Sequence, residues 1–586
     1  MATQSAAAPR ALVSSRTLAA VAVAVVLAGA AAAKLRGHHV RAHLSALIHG
    51  KTAAAAATRA WPRSKPIIGY NMDFPGDWTE AIPFVDLMHD ARPWEGGGAG
   101  DKYAGLDLDD HGWPKSLGPY NQLTATFRTE HADGFAGHVF VVSYRGEGTL
   151  SVQGTVQVLD QKPGQIRFRG ADGNNWLSID ATDPKHTGDY LRDITIVRED
   201  QQALQQQGKI FNPELLAFLA PYHSIRFMDW AQSNEAGQEK AGRWSDRSKL
   251  TQPQWRQQFI DPRHPGLGLT QTGYPLEIQI AIANELHAHP HFNLPYKYDD
   301  GYARAFAKMV KEKLAPGLVA TIEYSNEVWN WGFPQATYAR LEAQKLWPGE
   351  GTGWLQFMGA RASTMCRIFK DVFGAERQRL RCVIAPQTGW VDIADASLDC
   401  PKWVAMGHEP CFKSADAIAI TGYFNGMLPR PENLPLIKKW LQQGQPYALA
   451  QAFRQLEKGD VAGLRGEDGP ATPDKAMSVD NAVAAFAKWR EIADQRGLAL
   501  YAYEGGTHFD VGPDPELGRF VLAISNDPRM KDLYLRLFDG FAAAGGTVFN
   551  VWGGIARASS WANATSLNDR AHPKYRAVLE FEARQK

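Results

Sequence analysis

From about residue 205 onward the chain alternates short apolar runs with amphipathic stretches, and this rhythm limits the folds open to it. "SIRFMDW" (224–230), "LVATIEYSNE" (318–327), "LRCVIAPQTG" (380–389), "ADAIAITGYFNG" (415–426), "LALYAYEGG" (498–506) and "TVFNVWGG" (547–554) read as strands. Helical spacing of apolar residues marks 275–286, 301–314, 354–373, 480–497 and 529–546 as helices, with Asp480 as a cap and Gly497 as a stop. Alternating strands and helices predict a parallel sheet, and near-continuous apolar strands are what helices on the sheet faces require. "PIIGYNMDF" (66–74) and a weaker "FNLPY" (292–296) bring the strands to eight. Eight favours an α/β fold of the closed (β/α)8 TIM-barrel type over an open doubly wound sheet. No Gly-x-Gly-x-x-Gly follows a strand, so a dinucleotide fold lacks its fingerprint.

Residues 97–204 break the rhythm. Short strands separated by Gly, Asp and Pro turns, among them "LTATFRTE", "HVFVVSYRGEGTLSVQG" and "DITIVRED", predict a small antiparallel β-sandwich. It is inserted into, or appended to, a barrel made of residues 63–96 and 205–586. A second insertion, rich in Pro, Gly and charge, covers about 427–478. At the start of the chain Arg10 and Arg16 precede a 17-residue apolar and Ala-rich run ending at Ala33. Residues 1–33 thus read as a signal peptide or membrane anchor and 34–62 as a stalk. The expected location is outside the cytoplasm: periplasmic, extracellular, or membrane-anchored and facing outward. Cys400 and Cys411 bracket a loop and could pair there, whereas Cys366 and Cys382 read as ordinary buried thiols. A formal net charge of +1 without a basic face argues against nucleic-acid binding. The "HAHPH" run (His287, His289, His291) lacks a matching ligand set and reads as a solvated loop, so neither metal nor organic cofactor is expected.

Catalytic side chains of such a barrel sit where its strands end. Glu327 ends the fourth strand, Glu504 the seventh and Trp552 the eighth, and glycines follow the last two. Two carboxyls on different strands of one pocket suit glycoside hydrolysis, in which one protonates the leaving oxygen and the other attacks the anomeric carbon or activates water. Their pKa values must be split by environment, because the residue type is the same.

"SNEVWN" on strand four and a Glu on strand seven resemble clan A of the retaining glycoside hydrolases, and "EYSNEVWN" is similar to bacterial exported proteins described as cellulose-binding. The resemblance covers residues 66–94 and 205–580. It implies that Glu327 is acid/base and Glu504 nucleophile. It also implies that Asn326 binds a sugar hydroxyl, that Trp552 floors a sugar subsite, that Arg226 keeps the nucleophile charged and that Tyr423 orients it or binds sugar. The implied activity is cleavage of a β-linked polysaccharide or oligosaccharide. The alternative is a non-catalytic carbohydrate-binding or scaffold protein of cell-surface polysaccharide assembly.

Strict alternation puts Thr321, Glu323, Ser325 and Glu327 on one face of strand four and Asn326 on the other. Both Asn326 and Glu327 reach the pocket only if the strand bulges or ends there. Trp329 and Trp331 would then lie on the loop above, open to sugar rings. Glu323 reads as a deeper structural partner of a buried arginine. Asp229 and Trp230, closing strand two, and Gln387, ending strand five, are further candidate sugar-binding residues. Asn425, His508 and Tyr296 are weaker ones.

Overall fold

The computed structural model describes residues 66–74, 76–97, 102–234, 242–255, 258–260, 269–271, 273–466, 469, 472–510 and 514–585. The expected leader (1–33) and stalk (34–62) lie outside these. None of the described helices is long and apolar enough to cross a membrane.

Eight parallel strands close into a barrel: β1 (Ile67–Asn71), β2 (Ser224–Arg226), β3 (His289–Leu294), β4 (Ala320–Tyr324), β5 (Leu380–Ile384), β6 (Ala417–Phe424), β7 (Ala499–Thr507) and β8 (Val548–Val551). Each pairs with the next, and Ile67↔Val548 through Tyr70↔Val551 closes the ring. Helices such as Asp300–Lys313, Gly353–Phe373, Val479–Asp494 and Met530–Ala543 connect the strands. At the base Ile67, Val383, Ala417, Ala419, Tyr501 and Val548 pack into one apolar cluster. Higher up the interior is polar and crowded. A Cβ on Gly69 would fall 1.9 Å from the Asn550 side chain, so only glycine fits there.

Two details differ from the expectation. The run "HAHPH" is no solvated loop, because His289 and His291 lie in β3, 3% and 1% exposed. The strand is therefore longer and earlier than "FNLPY". Imidazole tolerates such burial when neutral and hydrogen-bonded, and His289 Nδ1 accepts the Val319 backbone N–H at 3.0 Å. The helix Val479–Asp494 is capped by Ser478 in a reciprocal box with Asn481, which leaves Asp480 in the first turn.

The chain divides into two compact units. One holds the barrel, in the described residues up to 74, from 212 to 235 and from 277 on. The other takes the described residues between 75 and 211 and between 236 and 276. This second unit carries two four-stranded antiparallel sheets. The first orders Glu95–Gly96, Leu123–Arg128, Asn175–Thr182 and Gly148–Gly154; the second orders Gln157–Lys162, Gln165–Arg169, Val139–Arg145 and Arg192–Arg198. Alternate residues point inward along the strands. Leu123, Ala125 and Phe127 are buried while Thr124 and Thr126 are half-exposed, and Phe140 stacks on Phe168 at 5.4 Å. The 427–478 segment contributes the helices Leu434–Gln442 and Gln445–Lys458. Cys400 and Cys411 form a disulfide, and Cys366 and Cys382 are free and buried.

Candidate active site

Arg226, the last residue of β2, is wholly buried and organises the C-terminal end of the barrel. Its Nε and Nη2 fork onto the two oxygens of Glu323 at 3.0 Å each. Nη1 reaches Glu504 Oε1 at 2.5 Å and Asn71 Oδ1 at 3.0 Å, and Nη2 also donates to Asn326 Oδ1 at 2.7 Å. A bidentate guanidinium–carboxylate pair fixes geometry as well as charge. Burial works against the arginine's charge, but Glu323 and Glu504 keep it firmly protonated.

Glu323 is the structural carboxylate of the set. Burial would raise its pKa, yet Arg226 and His291 hold it below the ordinary value. Asn293 Nδ2 donates to Glu323 Oε2 at 2.9 Å, and His291 Nε2 lies 2.8 Å from the same oxygen. Burial keeps His291 neutral. Asn550 Nδ2 lies 3.3 Å from its Nδ1.

Asn326 and Glu327 both turn toward Arg226 and Tyr503 because the strand ends before them. β4 stops at Tyr324, and Ser325 and Glu327 take left-handed backbone conformations, φ 56° and 41°. Non-glycine residues rarely stay there unless the surroundings impose it. The Asn326 amide bridges Arg226 and Asn234, donating to Asn234 Oδ1 at 3.1 Å. Gln335 Nε2 pins the same turn through the Asn326 carbonyl at 2.6 Å.

Strand β7 delivers its carboxylate by a different break. In the pairing of β6 with β7, Ile420 faces Ala502 and Thr421 faces Glu504, so Tyr503 is an extra residue. Tyr503 and Glu504 are neighbours, and alternation would send them to opposite faces. The bulge instead lets Glu504 meet Arg226 and Tyr423 while Tyr503 lies under the Arg226 guanidinium, 4.9 Å from its ring centre. Tyr423, on β6, donates to Glu504 Oε2 at 2.8 Å.

The two glutamates therefore sit in unlike company. Glu504 is held on one oxygen by a cation and on the other by a phenol. Glu327 receives only neutral donors, Tyr503 at 3.1 Å and Asn330 at 2.8 Å. Burial first, and the charge of Glu504 second, push the Glu327 carboxyl up to about 7. Burial also raises Glu504, opposed by Arg226 and Tyr423. One arginine faces three carboxyls, so a proton shared between Glu327 and Glu504 rests on Glu327, the one without a cation.

The other candidates are placed unevenly. Trp552 is half-buried beyond β8, its backbone N–H bonded to the Gly505 carbonyl at 2.9 Å. Gly553 after it has φ 137°, and a Cβ there would strike the Trp561 carbonyl. Trp329 and Trp331 are half-buried and 50% exposed. Trp230, by contrast, is 2% exposed and packs on Phe227, a core position that leaves no face for a sugar. The Asp229 carbonyl accepts from Gln232, and the Asp229 side chain is nearly buried. Gln387 turns its amide oxygen back onto the Gly389 N–H of its own loop, so that oxygen braces the turn. Asn425 Oδ1 likewise accepts the Met427 N–H, Tyr296 is buried, and His508 packs edge-on against Tyr423 and Trp561. Asn71, Asn234, Asn293 and Tyr503 were not singled out from the sequence, and Asn330 stood out only as part of the "SNEVWN" cluster, without a role. Asn330 had a legible signal, standing three residues after Glu327 in a turn, whereas Tyr503 was hidden by the bulge.

No family model matches the chain, and no curated protein matches it. Among solved structures it is similar to a 4-O-α-L-rhamnosyl-β-D-glucuronidase from Fusarium oxysporum 12S (10% identity, TM-score 0.35, 63% of each chain covered). It is also similar to a family 5 xyloglucan-specific endo-β-1,4-glucanase from a metagenomic library (9% identity, TM-score 0.31, covering 64% of this chain and 91% of that one). A third is a family 26 endo-β-1,4-mannanase from Cellulomonas fimi (12% identity, TM-score 0.25, 52% and 55%). These neighbours are glycoside hydrolases; at such identities and scores, the chemistry of this chain rests on its own residues.

Proposed function

We propose that this protein is a retaining glycoside hydrolase of the clan A type, acting on a β-linked polysaccharide or oligosaccharide. The observation that carries the reading is the unlike partnering of two glutamates, one buried and one half-buried: Glu504 bound by Arg226 and Tyr423, Glu327 by neutral donors alone. In the first step Glu504 Oε attacks the anomeric carbon while the Glu327 proton passes to the departing glycosidic oxygen. A glycosyl ester on Glu504 and a free leaving-group hydroxyl result. In the second step Glu327, now a carboxylate, takes a proton from water, whose oxygen displaces Glu504 and restores both groups. The Asn326 amide, one N–H of which is held by Asn234, would meet a sugar hydroxyl with the other. Trp552 would floor the sugar bound at the nucleophile. The Cys400–Cys411 disulfide supports export to an oxidising compartment. Wild-type protein and Glu504→Gln are to be assayed for reducing-end release from β-glucans, mannans and xylans. Release by wild type alone is expected. Equal release by both removes the assignment of Glu504, and release by neither favours a binding protein.

A further inference from the structure

We propose that Trp329, Trp390, Trp354 and Trp331 form an aromatic shelf that binds the leaving-group side of a polymeric β-glycan, so that cleavage falls within chains. This deepens, and rests on, the assignment of Glu327 as the acid. Four indoles follow one another in edge and tilted contacts: Trp329 to Trp390 at 6.1 Å, Trp390 to Trp354 at 6.3 Å and Trp354 to Trp331 at 4.8 Å between ring centres. They come from three places in the chain: the turn after β4, the turn after β5 and the start of the helix Gly353–Phe373.

These are not core tryptophans. Trp94, Trp113, Trp230 and Trp489 are almost fully buried, whereas Trp329, Trp354 and Trp390 are half-buried and Trp331 is 50% exposed. A row of partly exposed indoles suits a ligand built of repeated rings with apolar faces, which is what a β-linked glycan offers.

The direction of the shelf follows from the acid. Asn330 lies between Trp329 and Trp331, donates its side chain to Glu327, and its backbone N–H bonds the Glu327 carbonyl at 2.8 Å. The shelf and the acid are thus parts of one tight turn. The acid faces the departing oxygen, so the sugars beyond that oxygen run onto the indoles that adjoin it. The nucleophile has other aromatic neighbours: Tyr423, with His508 and Trp561 against it.

The test compares wild type with Trp331→Ala and Trp354→Ala on β-1,4-linked hexasaccharides of glucose, mannose and xylose, and on the p-nitrophenyl glycosides of the same sugars. The aryl glycosides have no sugar on the leaving side. On a hexasaccharide each variant should lose about tenfold more kcat/KM than on the matching aryl glycoside, as about 1.4 kcal/mol of lost stacking implies. Equal losses on the two substrates, or none on either, overturn the shelf. If wild type cleaves neither substrate, the function proposed above fails separately. Calorimetry with the same hexasaccharides then decides the shelf: binding about tenfold weaker in Trp331→Ala upholds it, and equal or absent binding overturns it.

Discussion

Tyr503, the residue immediately before Glu504, donates its hydroxyl to Glu327 at 3.1 Å, so one pair of chain neighbours touches both carboxyls of the site. The contact exists only because β7 carries an extra residue at that point. It makes Tyr503 a regulator of the proton on Glu327, since an O–H donated to a carboxylate favours the charged form.

The pH dependence follows. The Glu327 carboxyl, raised to about 7, must hold its proton to act as acid, so kcat/KM should fall as pH rises through about 7. Tyr503→Phe removes a hydrogen bond that lowers this pKa, and the alkaline limb should move to higher pH. Measurement of kcat/KM from pH 4 to about 9 in both proteins checks the direction. A limb that stays put or moves down refutes it.

Arg226 should be costly to truncate. Arg226→Met leaves Glu323 and Glu504 buried without their cation and should destabilise the protein by about 3–5 kcal/mol. Adding Glu323→Gln removes one of the stranded charges, so the double variant should be more stable than Arg226→Met alone. Urea unfolding of the three proteins reads this non-additivity directly.

In the sandwich unit Asp86 accepts the Met88 and Ile196 N–H groups on one oxygen, while its other oxygen is buried without a partner. Burial raises its pKa to about 7 despite those hydrogen bonds. A carboxyl whose folded pKa is raised contributes stability at low pH that is lost as pH rises through the folded value. Asp86→Asn keeps the acceptor and cannot ionise. Its advantage over wild type should be smaller near pH 5 than near pH 8, as melting temperatures at roughly those two pH values would show.

The Cys400–Cys411 bridge closes a loop with a sequence separation of 11. By the chain-entropy argument its removal in Cys400→Ala/Cys411→Ala should cost about 2–3 kcal/mol, measured by chemical denaturation under non-reducing conditions.

Much of the barrel was legible in the sequence. β4 to β8 are long apolar runs bounded by turn residues, and their helices show clear periodicity. β3 was misplaced because two of its residues are histidines, which read as polar but are buried here as neutral, hydrogen-bonded rings. In the sandwich the strand Gln157–Lys162 was missed because all of its residues are exposed, so no apolar alternation marks it. The two glutamates and Arg226 could be singled out by their places at strand ends, but the means of their presentation could not. A left-handed turn at Ser325 and Glu327, neither a glycine, and a one-residue bulge at Tyr503 are set by tertiary surroundings, not by local residue preference. Trp230 proves to be 2% exposed, because position alone does not tell a core indole from an exposed one.

The division of labour between Glu327 and Glu504 is tested most directly by trapping. Wild-type protein is incubated with activated 2-deoxy-2-fluoro β-glycosides of glucose, mannose and xylose, then analysed by intact mass and peptide mapping. One added glycosyl group, carried by the peptide containing Glu504 and absent in Glu504→Gln, is the predicted result. A label on Glu327 or elsewhere, or turnover of a natural β-glycan with inverted anomeric configuration, would contradict it.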